Sequence, residues 1–232
     1  MSDNNIPPAP NSQEEVEEPK KEVFIDKLFK RNNLEKIKEE DIPLPVEGAK
    51  SGLKFEVKRA NPPPVPKFPD KTKINFRYPL IIPYAYAHIY WDEPNSELIY
   101  KIEEPDLTDE EKEIFDLLEK GIKELINISF ISVNDEKVLI EYLEKNIRIL
   151  LDELSITIEK KSYLKIMYYI YRDFIGLNKM EPLMADTNIE DIECNGVNSP
   201  VYIVHRSLKN MKTNIIYPEL EELQNFVEKI AQ

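Results

Sequence analysis

The sequence predicts an α+β protein, and three observations predict it. From Tyr78 onward, two runs of aromatic and β-branched residues flank a turn, and three segments of helical period follow. Three short strand-like runs and one last amphipathic helix come after these. Ahead of Tyr78 the composition shifts, since thirteen of the 18 prolines fall at or before Pro83. The expected order is a disordered, Pro-rich tail and basic linker with one amphipathic helix over 1–77. A β-hairpin plus three-helix bundle spans 78–176, and a small α/β segment with an antiparallel sheet spans 177–232.

Each element has a local reason. Met1 to Glu22 holds Pro7, Pro8, Pro10, Pro19 and an acidic cluster at Glu14, Glu15, Glu17 and Glu18, too polar to repay ordering. Phe24, Ile25, Leu28, Phe29, Leu34 and Ile37 then make one apolar helical stripe. That helix either packs back on its own domain or docks in a partner groove. Pro62, Pro63, Pro64 and Pro66 favour an extended linker. Lys50 to Arg77 carries eight basic residues against Glu56 and Asp70. This stripe is either a solvated linker or a surface attracted to anionic lipid headgroups or an acidic partner.

Tyr84 to Trp91 and Glu97 to Glu103 read as the hairpin around Asp92-Glu93-Pro94-Asn95-Ser96. Its tyrosines read as a packed sheet face rather than a base-stacking platform. Thr108 and Glu111 form a capping box for the first helix. Asn134 is the expected cap of the second, and Ser162 to Ile175 forms the third, which Gly176 ends in a left-handed turn. Ile189 to Gly196 reads as a strand closing on an Asn-Gly turn, Val201 to Arg206 as a second strand and Met211 to Tyr217 as a third. Pro218 sits at an expected first helical position, ahead of Leu220, Leu223, Phe226, Val227 and Ile230.

Composition limits the function. The 232 residues include 44 acidic and 31 basic ones, for a net charge of −13. Nucleic-acid binding needs a basic footprint, so nucleic acid is not an expected partner. The single Cys194 excludes an internal disulfide and a Cys-based zinc site, and with only His88 and His205 no metal centre is expected. No apolar run reaches the ~18 residues of a membrane span, and the acidic N-terminus is no signal peptide, so the default is a soluble cytoplasmic protein. None of the five glycines belongs to a G-x-x-x-x-G-K-[ST] phosphate loop. No G-x-S-x-G, H-E-x-x-H or C-x-x-C is present. No catalytic residue is therefore assigned, and hydrolysis by this chain alone is not expected.

One stretch carries more. The run G-L-x-x-M-E-P-L-M-x-D-x-x-I-E-D-I-E-C-N-G from Gly176, then P-V-Y-I-V-H-R from Pro200 and M-K-T-N-I from Met211, resembles the N-terminal domain of archaeal type II/type IV secretion-system ATPases. These are the hexameric motors of the archaellum and of type IV pili. The likeness is close from about Tyr163 to the end, looser from about Tyr84 to Ser162, and does not cover Met1 to about Lys73. It implies an incomplete PAS-like antiparallel sheet with a final helix, read as the first part of a longer motor. In that family a linker and a P-loop ATPase domain follow.

The shared positions are Asp186, Ile189 to Ile192, Asn195, Gly196, Val201 to Val204, His205, Arg206, Lys212 and Thr213. The resemblance brings forward Arg206 and Lys212 for nucleotide-phosphate or inter-subunit contacts, although each also reads as an ordinary surface cation. It implies no cofactor in this chain, and ATP with Mg in the parent motor. The implied partners are the parent's own ATPase domain, neighbouring subunits of a homohexamer and a polytopic membrane platform protein. Docking to that partner, with peripheral contact to anionic lipid at the inner face of the membrane, is assigned to Phe24, Ile25, Leu28, Phe29, Lys50, Lys54, Lys58 and Arg59. The alternative is a free-standing, non-enzymatic adaptor that docks to a membrane secretion or filament platform.

Overall fold

A computed structural model describes residues 54–125 and 135–231. The tail, its apolar helix with Phe24, Ile25, Leu28 and Phe29, and Lys50 lie outside the described residues, as does Asn134. Among the described residues the architecture is α+β. It has seven strands, β1 Lys58–Arg59, β2 Asn75–Ile82, β3 Ala85–Asp92, β4 Glu97–Glu103, β5 Ile189–Glu193, β6 Pro200–His205 and β7 Lys209–Ile216. The helices are α1 Asp109–Leu125, α2 Glu136–Glu153, α3 Lys160–Phe174, the short α4 Glu181–Met184 and α5 Leu220–Ile230.

The strands form one sheet in the order β1-β2-β3-β4-β7-β6-β5. All neighbours are antiparallel except β4 and β7, which pair in parallel through Ile99 with Lys212 and Tyr100 with Thr213. Asn214 extends this short seam. Its side-chain Oδ1 accepts from the Ile102 N–H at 2.7 Å and its Nδ2 donates to the Ile102 carbonyl at 3.0 Å. The expected hairpin and the later three-strand meander are thus halves of a single sheet, and the helices are an insertion between them.

Period-2 patterning decides which face is covered. Ala85, Ala87 and Ile89 of β3, Leu98, Tyr100 and Ile102 of β4, and Met211, Thr213 and Ile215 of β7 are buried. Val201, Ile203 and His205 continue that face on β6. Leu118, Ile122, Leu143, Ile147, Leu150, Ile166, Met167 and Ile170 of α1 to α3 join the same core. Burying a side chain of this kind stabilises by ~1.5–3 kcal/mol. Core packing begins before Tyr78: Phe55 and Ile74 are buried, and Phe55 stacks on Tyr84 with ring centroids 5.5 Å apart. Tyr84 in turn stacks on Tyr168 of α3 at 5.0 Å.

Several local expectations are met and several are corrected. The capping box forms: the Thr108 N–H donates to Glu111 Oε2 at 2.9 Å, and the Glu111 N–H donates to Thr108 Oγ1 at 3.2 Å. The cap of α2 is Asp135 rather than Asn134, its carboxylate accepting from the Lys137 N–H at 2.9 Å. Gly176 does not adopt the left-handed conformation; Asn178 does, with φ 52°. Gly176 is required by space, because a Cβ there would lie 2.9 Å from the Arg172 carbonyl and 2.7 Å from Glu181 Cγ. Gly196 has φ 104°, but six residues separate β5 from β6, so the turn is looser than a two-residue hairpin. Pro218 precedes α5, whose N-cap is Glu219. Strand β2 contains Pro79, tolerated because β1 pairs only with Ile81 and Ile82 and leaves the rest of that edge open.

Candidate functional site

The stretch that carries the family resemblance folds as one unit, β5-β6-β7, fixed to the rest of the sheet by a buried carboxylate. Asp186 follows α4 and is 3% exposed. Its Oδ2 accepts from the Tyr78 hydroxyl of β2 at 2.6 Å and the Tyr100 hydroxyl of β4 at 2.7 Å. Its Oδ1 accepts from the Asn188 N–H at 2.9 Å. Burial, then the adjacent carboxylate, pushes both phenols up, so they remain donors at every physiological pH. A single carboxylate thereby ties β2, β4 and the start of β5 together.

His205 forms the second fixed point. It is fully buried at the end of β6. Its Nδ1 accepts from the Ser207 N–H at 3.1 Å and the Leu208 N–H at 3.3 Å, closing the turn into β7. Nε2 therefore carries the proton, and it has no partner among the described residues. Burial pushes the imidazole pKa down. A neutral ring sealed from solvent shapes a turn; it does not exchange protons with a solute.

The third is Glu181, 1% exposed, which accepts from the Arg59 guanidinium at 2.6 Å and the Leu177 N–H at 2.9 Å. Arg59 is therefore held by an interior carboxylate, with about half of its side chain still open. Lys54 pairs with Glu56 at 3.1 Å, and Lys58 lies exposed on β1. Both line a groove of about 610 Å³ with Phe55, Val57, Ile82 and Pro83 on one side and Ile140 of α2 on the other. Lys137, Glu141 and Glu144 of α2 complete its lining.

The two cations suggested for phosphate do not converge. Lys212 lies on the uncovered face of β7, 3.7 Å from Glu97 of β4. Arg206 follows β6 and sits 3.5 Å from Glu190 of β5. Each has its own acidic neighbour. Among the described residues no group of three or more His, Cys, Asp or Glu side chains could hold a metal ion. Cys194 is exposed.

Sequence reasoning did not find the Asp186 cluster. Asp186 is 108 residues from Tyr78 and 86 from Tyr100, and no periodicity links such positions. Asp186 stood out only through the resemblance, with no partner attached.

No family model matches the chain. Similar proteins include two from Methanocaldococcus jannaschii. The uncharacterized protein MJ1288 is 37% identical over 133 residues, which make up 57% of this chain and 52% of that protein. The uncharacterized protein MJ0900 is 30% identical over 81 residues, 35% of this chain and 14% of that protein. The chain thus spans about half the length of the first relative and much less of the second. Among the described residues no helix is long and apolar enough to cross a membrane.

Proposed function

We propose that this chain is the regulatory, oligomer-forming and partner-docking N-terminal region of a hexameric secretion-type motor ATPase, of the kind that powers archaellum or type IV pilus assembly. The observation that carries the reading is the β5-β6-β7 unit. The resembling residues, scattered from Asp186 to Thr213, fold into one meander with Asp186 and His205 as its fixed points. The much greater length of MJ0900, of which the matched part is 14%, accords with such a region standing within a longer chain.

On this reading hydrolysis belongs to a P-loop domain of the parent, which binds ATP and Mg, while this region contacts neighbouring subunits and a polytopic membrane platform. It sits in the cytoplasm against the inner face of the membrane. Lys54 and Lys58 at the groove mouth belong to the docking surface, and Arg206 and Lys212 to separate inter-subunit contacts. Purified protein with Mg-ATP is expected to give no turnover above background. Sustained hydrolysis that survives further purification contradicts the reading.

A free-standing adaptor is the second reading, and one observation favours it. The matched residues make up similar shares of this chain and of MJ1288, so a chain of comparable length exists. The reading frame past Gln232 separates the two. A P-loop within roughly 100 residues supports the motor, and a stop codon supports the adaptor.

A further inference from the structure

The uncovered face of the sheet holds a cavity of about 320 Å³ near the β2 edge. Its rim is the 3-10 turn Lys71–Lys73, and its floor is β3 and β4. The fold places two lysines there from distant parts of the chain. Lys73 comes from the turn, and Lys101 from β4, where it pairs across the ladder with His88.

Among the described residues neither lysine has an acidic partner, in contrast to interior cations such as Lys165 and Arg172. The nearby acids are already engaged. Asp70 caps the turn, accepting from the Thr72 N–H at 3.0 Å and its hydroxyl at 2.9 Å. Glu103 is held by Arg77 and His88, which together keep its carboxyl below the usual range despite some burial. Trp91 borders the cavity as well, while its ring packs against the core on the covered face, beside its ladder partner Leu98. Two ammonium groups without acidic partners and the partly exposed Tyr90 ring thus border one concave site whose lining holds no carboxylate.

We propose that this cavity is a binding site for a small phosphate monoester, its dianion held between Lys73 and Lys101. Ammonium groups bind phosphate as point charges, and a second cation doubles the attraction while excluding neutral ligands. The ester's organic part lies against the Tyr90 ring. The phosphate reaches the site either on a soluble metabolite or on a lipid headgroup, and the two sources are separable by experiment.

Trp91 is the chain's single tryptophan and borders this cavity, so its fluorescence gives one signal beside the site. Glycerol 3-phosphate is titrated at constant ionic strength, with glycerol and chloride as controls, and a parallel series uses neutral vesicles with and without phosphatidic acid. A saturable Trp91 change with glycerol 3-phosphate supports a soluble ligand; a change only with phosphatidic acid supports a headgroup. The exposed Lys73→Ala and Lys101→Ala changes, made together, are expected to weaken binding about tenfold or more, the loss of at least one charge-assisted contact. Lys209→Ala, exposed on β7, is expected to leave it unchanged. Equal affinity of the double variant and Lys209→Ala, or no saturable response to either phosphate source, overturns the proposal.

Discussion

The hydroxyl of Tyr78 donates to Asp186 Oδ2 at 2.6 Å, joining the first long strand to the loop that opens the β5-β6-β7 unit. Tyr100 shares the same oxygen at 2.7 Å. Removing the acceptor leaves two buried donors unpaired, whereas removing one phenol leaves the carboxylate with Tyr100 and the Asn188 N–H. Asp186→Ala is therefore expected to destabilise by about 2–4 kcal/mol and Tyr78→Phe by about 1 kcal/mol. Urea midpoints at neutral pH measure both. Equal midpoints for the two variants would show that the carboxylate is no hub.

His205 predicts a pH dependence. Its folded-state pKa lies below the ordinary 6.5 because the ring is buried. The unfolded chain takes up the proton first as pH falls. The stability this residue contributes is thus complete above pH 6.5 and declines as pH drops from there toward the folded pKa. Replacement by Asn, which can still accept from the turn, should flatten the stability profile across that window. An unchanged slope in the variant would move the effect to another group.

The capping box couples to a third partner. Lys165 of α3 donates to Glu111 Oε2 at 2.8 Å, so one carboxylate caps α1 and clamps α3. Burial alone would raise this carboxyl, but the Lys165 and Ser162 side chains and the Thr108 amide hold it at about 2. Its contribution is present above pH 4.5 and is lost as pH falls through about 2. Thr108→Ala should cost about 1 kcal/mol as a lost cap. Glu111→Gln should cost more, about 1.5–3 kcal/mol, because the hydrogen bond to the lysine loses its charge. Thermal unfolding of the two variants orders these costs, and the reverse order would refute the clamp.

Gly176→Ala should destabilise by about 1–3 kcal/mol through crowding, since the Arg172 carbonyl is backbone and cannot step aside. Combining it with Glu181→Ala relieves the side-chain clash but leaves the carbonyl contact and removes the acceptor for Arg59 and the Leu177 N–H. The double variant is therefore expected to unfold more readily than Gly176→Ala alone. Equal stability in a denaturant titration would show that Glu181 bears little weight.

How far the sequence disclosed this structure follows from the range of each interaction. The Thr108–Glu111 box and the β3-β4 hairpin were legible, because their partners lie within a few residues or one turn. Gly176 has another cause than the one its chain position suggests: that position suggests a left-handed terminator, whereas the constraint is the closeness of the Arg172 carbonyl and the Glu181 side chain. Strand β2 escaped notice because Pro79 and the neighbouring prolines read as linker. The β4-β7 seam could not be read, since Ile102 and Asn214 are 112 residues apart and strand pairing leaves no local signature. The same distance hid the Tyr78-Tyr100-Asp186 cluster. Lys73 and Lys101 were visible as basic residues, but only the fold brings them to one cavity.

The most direct test of the motor reading is to recover the protein from its source cells and measure what comes with it. Antibodies raised against the protein would precipitate the native assembly under mild conditions, and its ATP hydrolysis and mass would be determined. The proposed function predicts Mg-dependent hydrolysis in the precipitate and a six-fold assembly containing a P-loop polypeptide, either continuous with this region or bound to it. A precipitate free of hydrolysis and of any P-loop polypeptide would contradict it.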